Sequence, residues 1–249
     1  MKEEEGEREM MIMGNIQNIM RYPVKSFTGE YLSKAQIMSY GIYGDRSHAF
    51  IDRTNRDKHL TITQFPEMVT YKACFLGEES LDVFPKLKVI ARDGIEYDWD
   101  DQALLDRLEE ETNRTLETIT YSPTYVPFPA IEVDNILLIS TEALAELSTS
   151  FGEPIDERRF RGNIIYDIQE VDIKEQDLIG KQIKIGSEVI LEINQFCERC
   201  MIITVDPKTG TRQPKLLKQI VKERNNHLGM YARVIQTGTI HIGDQMTIL

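Results

Sequence analysis

The sequence is poor in cysteine. Its 249 residues include three, Cys74, Cys197 and Cys200. An odd and sparse set excludes a secreted disulfide scaffold. It is also too small for a four-cysteine zinc site or for a plant-type iron–sulfur domain. Long apolar runs are lacking as well: no stretch approaches the ~18 residues of a helical membrane span. No membrane association is therefore expected. The amino terminus, MKEEEGERE, carries two basic and five acidic side chains over residues 1–9, where a secretory signal would be basic and then apolar. Residues 1–11 read as a disordered acidic tail, and a cytoplasmic location is the default expectation. Positive charge is in deficit. The 29 Lys+Arg against 41 Asp+Glu leave a net charge of -12, a surface that repels phosphate backbones, so nucleic acid is not an expected partner. Repeats, low-complexity blocks and long linkers are absent too.

What is present alternates in the manner of strands. Residues 12–20, 31–38 and 48–52 read as extended, with a proline-marked turn at Pro23 and a glycine-punctuated turn over residues 41–46. Short β-like runs follow at residues 60–63, 68–75, 80–83 and 87–90, a spacing that suits a small barrel or sandwich. Leu104, Leu105 and Leu108 predict a short amphipathic helix, and residues 115–121 return to strand. The proline-rich stretch 122–135 is the expected connection between an N-terminal β-rich unit (12–122) and a C-terminal unit (123–249). In the second unit, residues 136–139 predict a buried strand. A helix follows, capped by Ser140 or Thr141 and ended by Gly152 and Pro154. Strands are expected at 164–168, 182–185, 189–194 and 201–205. Pro214 opens a further helix with Leu216, Leu217, Ile220 and Val221 as its apolar face, ended by Asn225, Asn226 and Gly229. The chain closes on strands at 231–235, 238–240 and 246–249.

The chemistry concentrates in Cys197-Glu198-Arg199-Cys200. A thioredoxin-like pair opens a helix that lowers the thiol pKa, yet the residues after Cys200 are β-branched. A structural zinc ion needs four ligands, yet His48, His59, His227 and His241 stand at no ligand spacing. A single metal thiolate remains, with Arg199 beside it to lower the thiol pKa and to bind an anion. Two small buried apolar residues with no chemistry are the alternative.

The run from Cys197 to Gly210, C-x-R-C-x-x-x-T-V-D-P-x-T-G, resembles the signature of MOSC-domain proteins. The likeness is to the two-part members, with an N-terminal MOSC β-barrel domain, such as the mitochondrial amidoxime-reducing component and bacterial MOSC reductases. Tyr22-Pro23-Val24-Lys25-Ser26, Gly44-Asp45-Arg46, Phe160-Arg161-Gly162-Asn163-Ile164 and the closing Gly229-Met230-Tyr231 with Gly238–Asp244 match in order. The resemblance implies a mainly β (α+β) fold: a MOSC β-barrel with short helices plus a smaller N-terminal β-rich domain, with residues 12–46 packed on the C-terminal core. It implies the molybdenum cofactor, Mo-molybdopterin, ligated through Cys200, with Cys197 secondary. Lys25, Ser26, Arg46, Arg161, Asn163, Arg199 and Tyr231 would hold the anionic pterin and phosphate. The small hydroxyl pair that the family carries before the 136–139 strand is replaced by Val133 and Asp134, an acid that would repel phosphate.

The implied activity is that of an oxidoreductase reducing N-hydroxylated or N-oxygenated small molecules. The chain ends at Leu249 and lacks cluster cysteines, so electrons are expected from a separate protein: a ferredoxin, flavodoxin or reductase. The alternative is a cofactor carrier or a sulfur-transfer module bearing a persulfide on Cys200, although no pyridoxal-phosphate domain accompanies it. A cofactor-free β scaffold is the third reading.

Overall fold

The computed structural model describes residues 11–131, 133–169 and 173–249. The expected acidic tail lies outside that set except for Met11, which opens the first strand. The chain runs through β1 (Met11–Arg21), β2 (Glu30–Leu32), β3 (Lys34–Met38), β4 (Gly41–Ile42), β5 (His48–Asp52) and β6 (Lys58–His59). After a 3-10 turn at Pro66–Thr70 come β7 (Lys72–Leu76), β8 (Lys86–Ile90), β9 (Glu96–Asp98), α1 (Gln102–Thr112) and β10 (Leu116–Thr120). The single turn α2 (Phe128–Ile131) leads to β11 (Ile136–Ser140), α3 (Thr141–Phe151) and β12 (Ile164–Tyr166). The remainder is β13 (Gln182–Ile185), β14 (Val189–Glu198), α4 (Pro214–Arg224), β15 (His227–Gln236), β16 (Gly238–His241) and β17 (Gln245–Ile248).

Seven strands close a barrel in the order β12-β11-β15-β14-β13-β17-β1, and β1 pairs back onto β12. Closure leaves no free edge among them. The first strand of the chain is thus an integral barrel stave, although most of the barrel comes from residues beyond 130. Ile16, Ile19, Leu138, Ile164, Leu191 and Met230 fill the interior. On β11 the neighbouring residues Leu137 and Ile139 point the other way, into a second layer under α3 and α4 with Leu147, Leu216 and Ile220. Burial on both faces explains why this strand is an unbroken apolar run rather than an alternating one. A separate core of Phe27, Phe50, Tyr71, Val89, Leu104 and Leu108 holds β5 to β10 together.

Helix ends follow their sequence marks. Ser140 Oγ accepts from Ala143 N at 3.2 Å and Gly152 ends α3 in the left-handed region at φ 87. Pro214 opens α4 and Asn225 ends it at φ 48. No helix of the described residues is long and apolar enough to cross a membrane.

Several expectations are corrected, among them the start of the strand expected at 68–75, where Pro66–Thr70 is a 3-10 turn. Residues 60–63 and 80–83 form turns and bends rather than strands. Residues 201–205 are not a strand: Met201–Thr204 is a 3-10 turn. Its carbonyls are met by Thr204 Oγ1, which donates to Met201 at 2.7 Å, and by the distant Arg159, whose Nη1 donates to Ile203 and Thr204 at 3.4 and 3.3 Å. With those bonds made, no sheet ladder is needed to satisfy the backbone. Gly229 does not end α4 but lies inside β15 at φ 81. A Cβ there would stand 2.7 Å from the Leu138 carbonyl oxygen, so the close approach of β15 to β11 requires glycine.

Candidate functional site

Cys197 and Cys200 occupy different environments. Cys197 is the penultimate residue of β14; its side chain points to the helix layer and is buried. Arg199 Nη1 donates to its Sγ at 2.7 Å, and Arg199 Nη2 donates to the Phe160 carbonyl at 2.7 Å. The guanidinium carbon sits 5.4 Å from the Phe160 ring centroid. Arg199 thereby ties the end of β14 to the turn that precedes β12. Cys200 follows in extended backbone, φ -119 and ψ -174, just ahead of the 3-10 turn, and its side chain is exposed. The turn is anchored from below. Asp206 Oδ1 accepts from the amides of Lys208 and Thr209, and its Oδ2 accepts from Arg159 Nη2 at 2.7 Å. Burial would raise the Asp206 carboxyl, but these donors win and hold it below the usual range.

A second group comes from the two arginine turns. Arg46 and Arg161 both adopt left-handed backbone, φ 51 and 56, a strained choice for a non-glycine residue that is held only by surrounding bonds. Arg46 Nη2 donates to the Arg161 carbonyl at 3.2 Å, and Arg161 Nη1 donates to the Phe27 carbonyl at 2.9 Å. Both guanidinium groups lie over the Tyr22 ring, at 4.8 Å for Arg46 and 4.2 Å for Arg161. Burial pushes the Tyr22 hydroxyl far above its ordinary value, against the pull of the two arginines. The ring is therefore a neutral cation–π platform.

Asp45 is the hub of this group. It is 2% exposed. Its Oδ1 accepts from Tyr22 N at 2.7 Å, and its Oδ2 accepts from Asn163 Nδ2 at 3.2 Å and from Arg46 Nη1. Arg46 is the residue of this motif expected at the site and Asp45 is not, although a carboxylate beside an arginine in a tight glycine turn is itself a signal.

Six of the eight residues marked by the sequence line one open cleft of about 500 Å³: Arg46, Arg161, Asn163, Arg199, Cys200 and Tyr231. Lys25 and Ser26 do not line it. Lys25 is buried, with Nζ donating to the Ala130 carbonyl at 2.9 Å, and Ser26 Oγ accepts from Ile62 N at 3.2 Å. Asn163 lines the cleft with its amide already spent. Nδ2 donates to the Met20 carbonyl as well as to Asp45, and Oδ1 accepts from Leu137 N at 3.2 Å. It knits β1 to β11. The apolar walls Leu137, Phe160 and Ile202 and the acid Glu198 also line the cleft and are not among the residues expected from the sequence. Asp134 also lines the cleft, buried, and accepts from Asn135 N and Asn194 Nδ2. Those donors turn its carboxylate oxygens toward the protein.

The donor set fits an anionic group bearing a soft metal. Three arginines converge on the cleft in a chain of net charge -12. Arg199 Nε is buried with no hydrogen-bond partner among the described residues, a cost an acceptor in the cleft would relieve. An exposed thiol stands beside them, and thiolates suit soft metals.

Comparisons with known proteins identify the family. Residues 13–93 match the MOSC N-terminal beta barrel domain, and residues 131–247 match the MOSC domain. A stretch of 119 residues is 32% identical to molybdenum cofactor sulfurase of Drosophila ananassae, covering 45% of this chain and 15% of that protein. Another of 152 residues is 29% identical to mitochondrial amidoxime-reducing component 1 of Homo sapiens, covering 55% of this chain and 40% of that one. The matches thus span less than half the length of these relatives. The crystal structure of the YUAD protein from Bacillus subtilis superposes with a TM-score of 0.52 over 95% of this chain and 96% of that one. At 16% identity this likeness concerns the fold alone.

Proposed function

The chain belongs to the MOSC-domain family, and from that premise we propose that it is a molybdenum-cofactor oxidoreductase acting on N-hydroxylated or N-oxygenated compounds. The observation that carries the reading is the meeting of an exposed thiol, Cys200, with three arginines, Arg46, Arg161 and Arg199, in one cleft. When bound, the cofactor would supply two-electron oxygen-atom chemistry: the N–O bond is cleaved with two electrons and two protons, and oxygen leaves as water. The chain's own part is to hold and orient. Cys200 Sγ would be the metal ligand. Arg46 and Arg161, stacked on Tyr22, present donors to the anionic tail, and arginine suits that task because its fork can bind two oxygens at once. Arg199 fixes the base of the Cys200 segment through Cys197 and the Phe160 carbonyl. The electrons come from a separate redox protein, drawn to the acidic surface through a basic patch of its own.

Metal analysis of protein made in a host that synthesises the cofactor tests this directly. Molybdenum near one equivalent is expected, lost in Cys200→Ser and kept in Cys74→Ser. Protein free of molybdenum under those conditions would sink the reading. Turnover of benzamidoxime with a reduced viologen as donor then checks the reductase step.

A carrier or sulfur-transfer role is the second reading, favoured by the exposure of Cys200 and by the likeness to molybdenum cofactor sulfurase. Loaded protein that never turns over, together with persulfide labelling at Cys200, would select it.

A further inference from the structure

The N-terminal unit holds a second space, an open groove of about 1190 Å³ that shares no lining residue with the cleft. The segment from β4 into β5 serves both. It carries Arg46 to the cleft and, two residues on, His48 to the groove. Phe84 and Trp99 wall the groove beside the His48 ring, with centroids 5.3 and 5.1 Å from it. Phe75 stacks on Phe84 at 5.5 Å and 17°. Thr120, also in the groove wall, is in register with His48 across β10 and β5. In-register residues of an antiparallel pair share a face, so the two side chains stand side by side.

The atoms these residues offer are fixed by the bonds behind them. Ser47 Oγ donates its one hydrogen to the Gly44 carbonyl at 2.7 Å. It therefore accepts at its 2.8 Å contact with His48 Nδ1, which places the imidazole hydrogen on Nδ1. Burial pulls the His48 pKa down to about 3, so the ring is neutral and Nε2 keeps a bare lone pair. No donor meets Nε2 among the described residues. The little surface that His48 exposes, 3%, opens on the groove. Thr120 is the complement. Its Oγ1 accepts from Trp99 Nε1 at 2.9 Å, which leaves the hydroxyl hydrogen free to donate, and no acceptor among the described residues takes it. A buried acceptor without a donor is costly. Here it stands beside an unused donor, between aromatic walls that suit a flat ring. An anion or an ester would set its own lone pairs against Nε2.

We propose that this groove is a ligand site separate from the cleft, for an uncharged planar heterocycle with a lactam edge, the adjacent N–H and C=O that a nucleobase presents. The ring lies against Trp99 and Phe84. Its N–H donates to His48 Nε2, and its carbonyl accepts from Thr120 Oγ1. The site needs no metal, and it stands or falls independently of the reductase reading.

Two probes of nearly the same shape test this on the full chain: isocarbostyril, a bicyclic lactam, and isocoumarin, the lactone with ring oxygen in place of N–H. Binding is read by titration calorimetry and by quenching of Trp99, the single tryptophan of the chain. The lactam should bind about ten-fold more tightly than the lactone, whose ring oxygen faces the Nε2 lone pair. His48→Phe keeps an aromatic ring in the packing and removes the acceptor, so the ratio should fall to about one. Thr120→Val should weaken both probes by about two- to five-fold, because both present the carbonyl, and should leave the ratio intact. Thr120 is exposed, so this variant and the ratio in the parent decide the matter even where His48→Phe fails to fold. Equal affinities in the parent, no quenching by either probe at millimolar concentration, an unchanged ratio in folded His48→Phe, or an unchanged lactam affinity in Thr120→Val would overturn the proposal.

Discussion

Replacing Asp45 by alanine strikes the point where the cleft is fastened to the barrel. Three donors depend on that carboxylate: Tyr22 N, Asn163 Nδ2 and Arg46 Nη1. Arg46 is 5% exposed and Asp45 2%, so the pair sits where removing one partner strands a buried charge, at about 3–5 kcal/mol. The orphaned Tyr22 amide adds about 1–3 kcal/mol unless water reaches it. Arg46 keeps its bond to the Arg161 carbonyl and its seat on Tyr22, and an alanine-sized gap admits some solvent. About 4 kcal/mol in total is the expected loss. For a chain of this size each kcal/mol moves the melting temperature by about 2–4 °C, so Asp45→Ala should melt roughly 8–16 °C below the parent. Arg46→Met in the same background should recover much of that loss, because removing both partners of a buried pair is far milder than removing one. Melting curves of the two single variants and the double variant, followed by circular dichroism, decide the matter. A shift in Asp45→Ala smaller than about 4 °C, or strict additivity with Arg46→Met, would refute the role of Asp45 as a buried hub.

Other consequences are equally open to measurement. His48 is packed among Phe84, Trp99 and Phe75, with ring centroids at 5.3, 5.1 and 5.7 Å, and burial pulls its pKa down to about 3. The folded state then binds fewer protons than the unfolded state between that value and about 6.5. Stability contributed by this site therefore rises with pH across that window, is flat above it, and is about 2 kcal/mol lower at pH 5 than at pH 7; His48→Gln should flatten the slope of melting temperature over pH 4.5–6.5, and parallel slopes in parent and variant would contradict the assignment. Gly229→Ala should destabilise by at least about 2 kcal/mol, since it adds both a left-handed alanine and a clash with the Leu138 carbonyl; a melting temperature equal to the parent's would show that β15 can move away from β11. Arg199→Lys replaces a fork by a point charge and cannot keep both the Cys197 and the Phe160 bonds. It should speed the reaction of Cys197 with a thiol reagent and lower molybdenum retention, and unchanged reactivity would separate Arg199 from the burial of Cys197.

Sequence pattern reached the parts of this protein in which local chemistry and global fold agree. The helices 141–151 and 214–224 carry their own caps in Ser140, Gly152, Pro214 and Asn225, and the doubly buried β11 announces itself as an apolar run. The carry-over of Arg46, Arg161, Asn163, Arg199, Cys200 and Tyr231 came from ordered motifs, and one cleft gathers all six. What escaped has a common physical origin: it depends on partners distant in the chain. The β-branched run after Cys200 has strand propensity, yet its carbonyls are claimed by Arg159, more than forty residues earlier, and the turn that results leaves Cys200 at the surface rather than in a sheet. Asn163 looks like a ready donor in isolation, but its amide is consumed by Met20, Asp45 and Leu137. Arg46 and Arg161 stand in left-handed backbone with no glycine or asparagine to mark it. The Tyr22 ring, the Asp45 carboxylate and the carbonyls of Arg161 and Phe27 help to hold them there. A positive cleft on a chain this acidic is thus built by spending carboxylate and carbonyl acceptors behind each arginine, which fixes the guanidinium groups before any anion arrives. The cleft residues are positioned by the fold first, and the same acceptors that stabilise them set how much positive charge remains for a ligand.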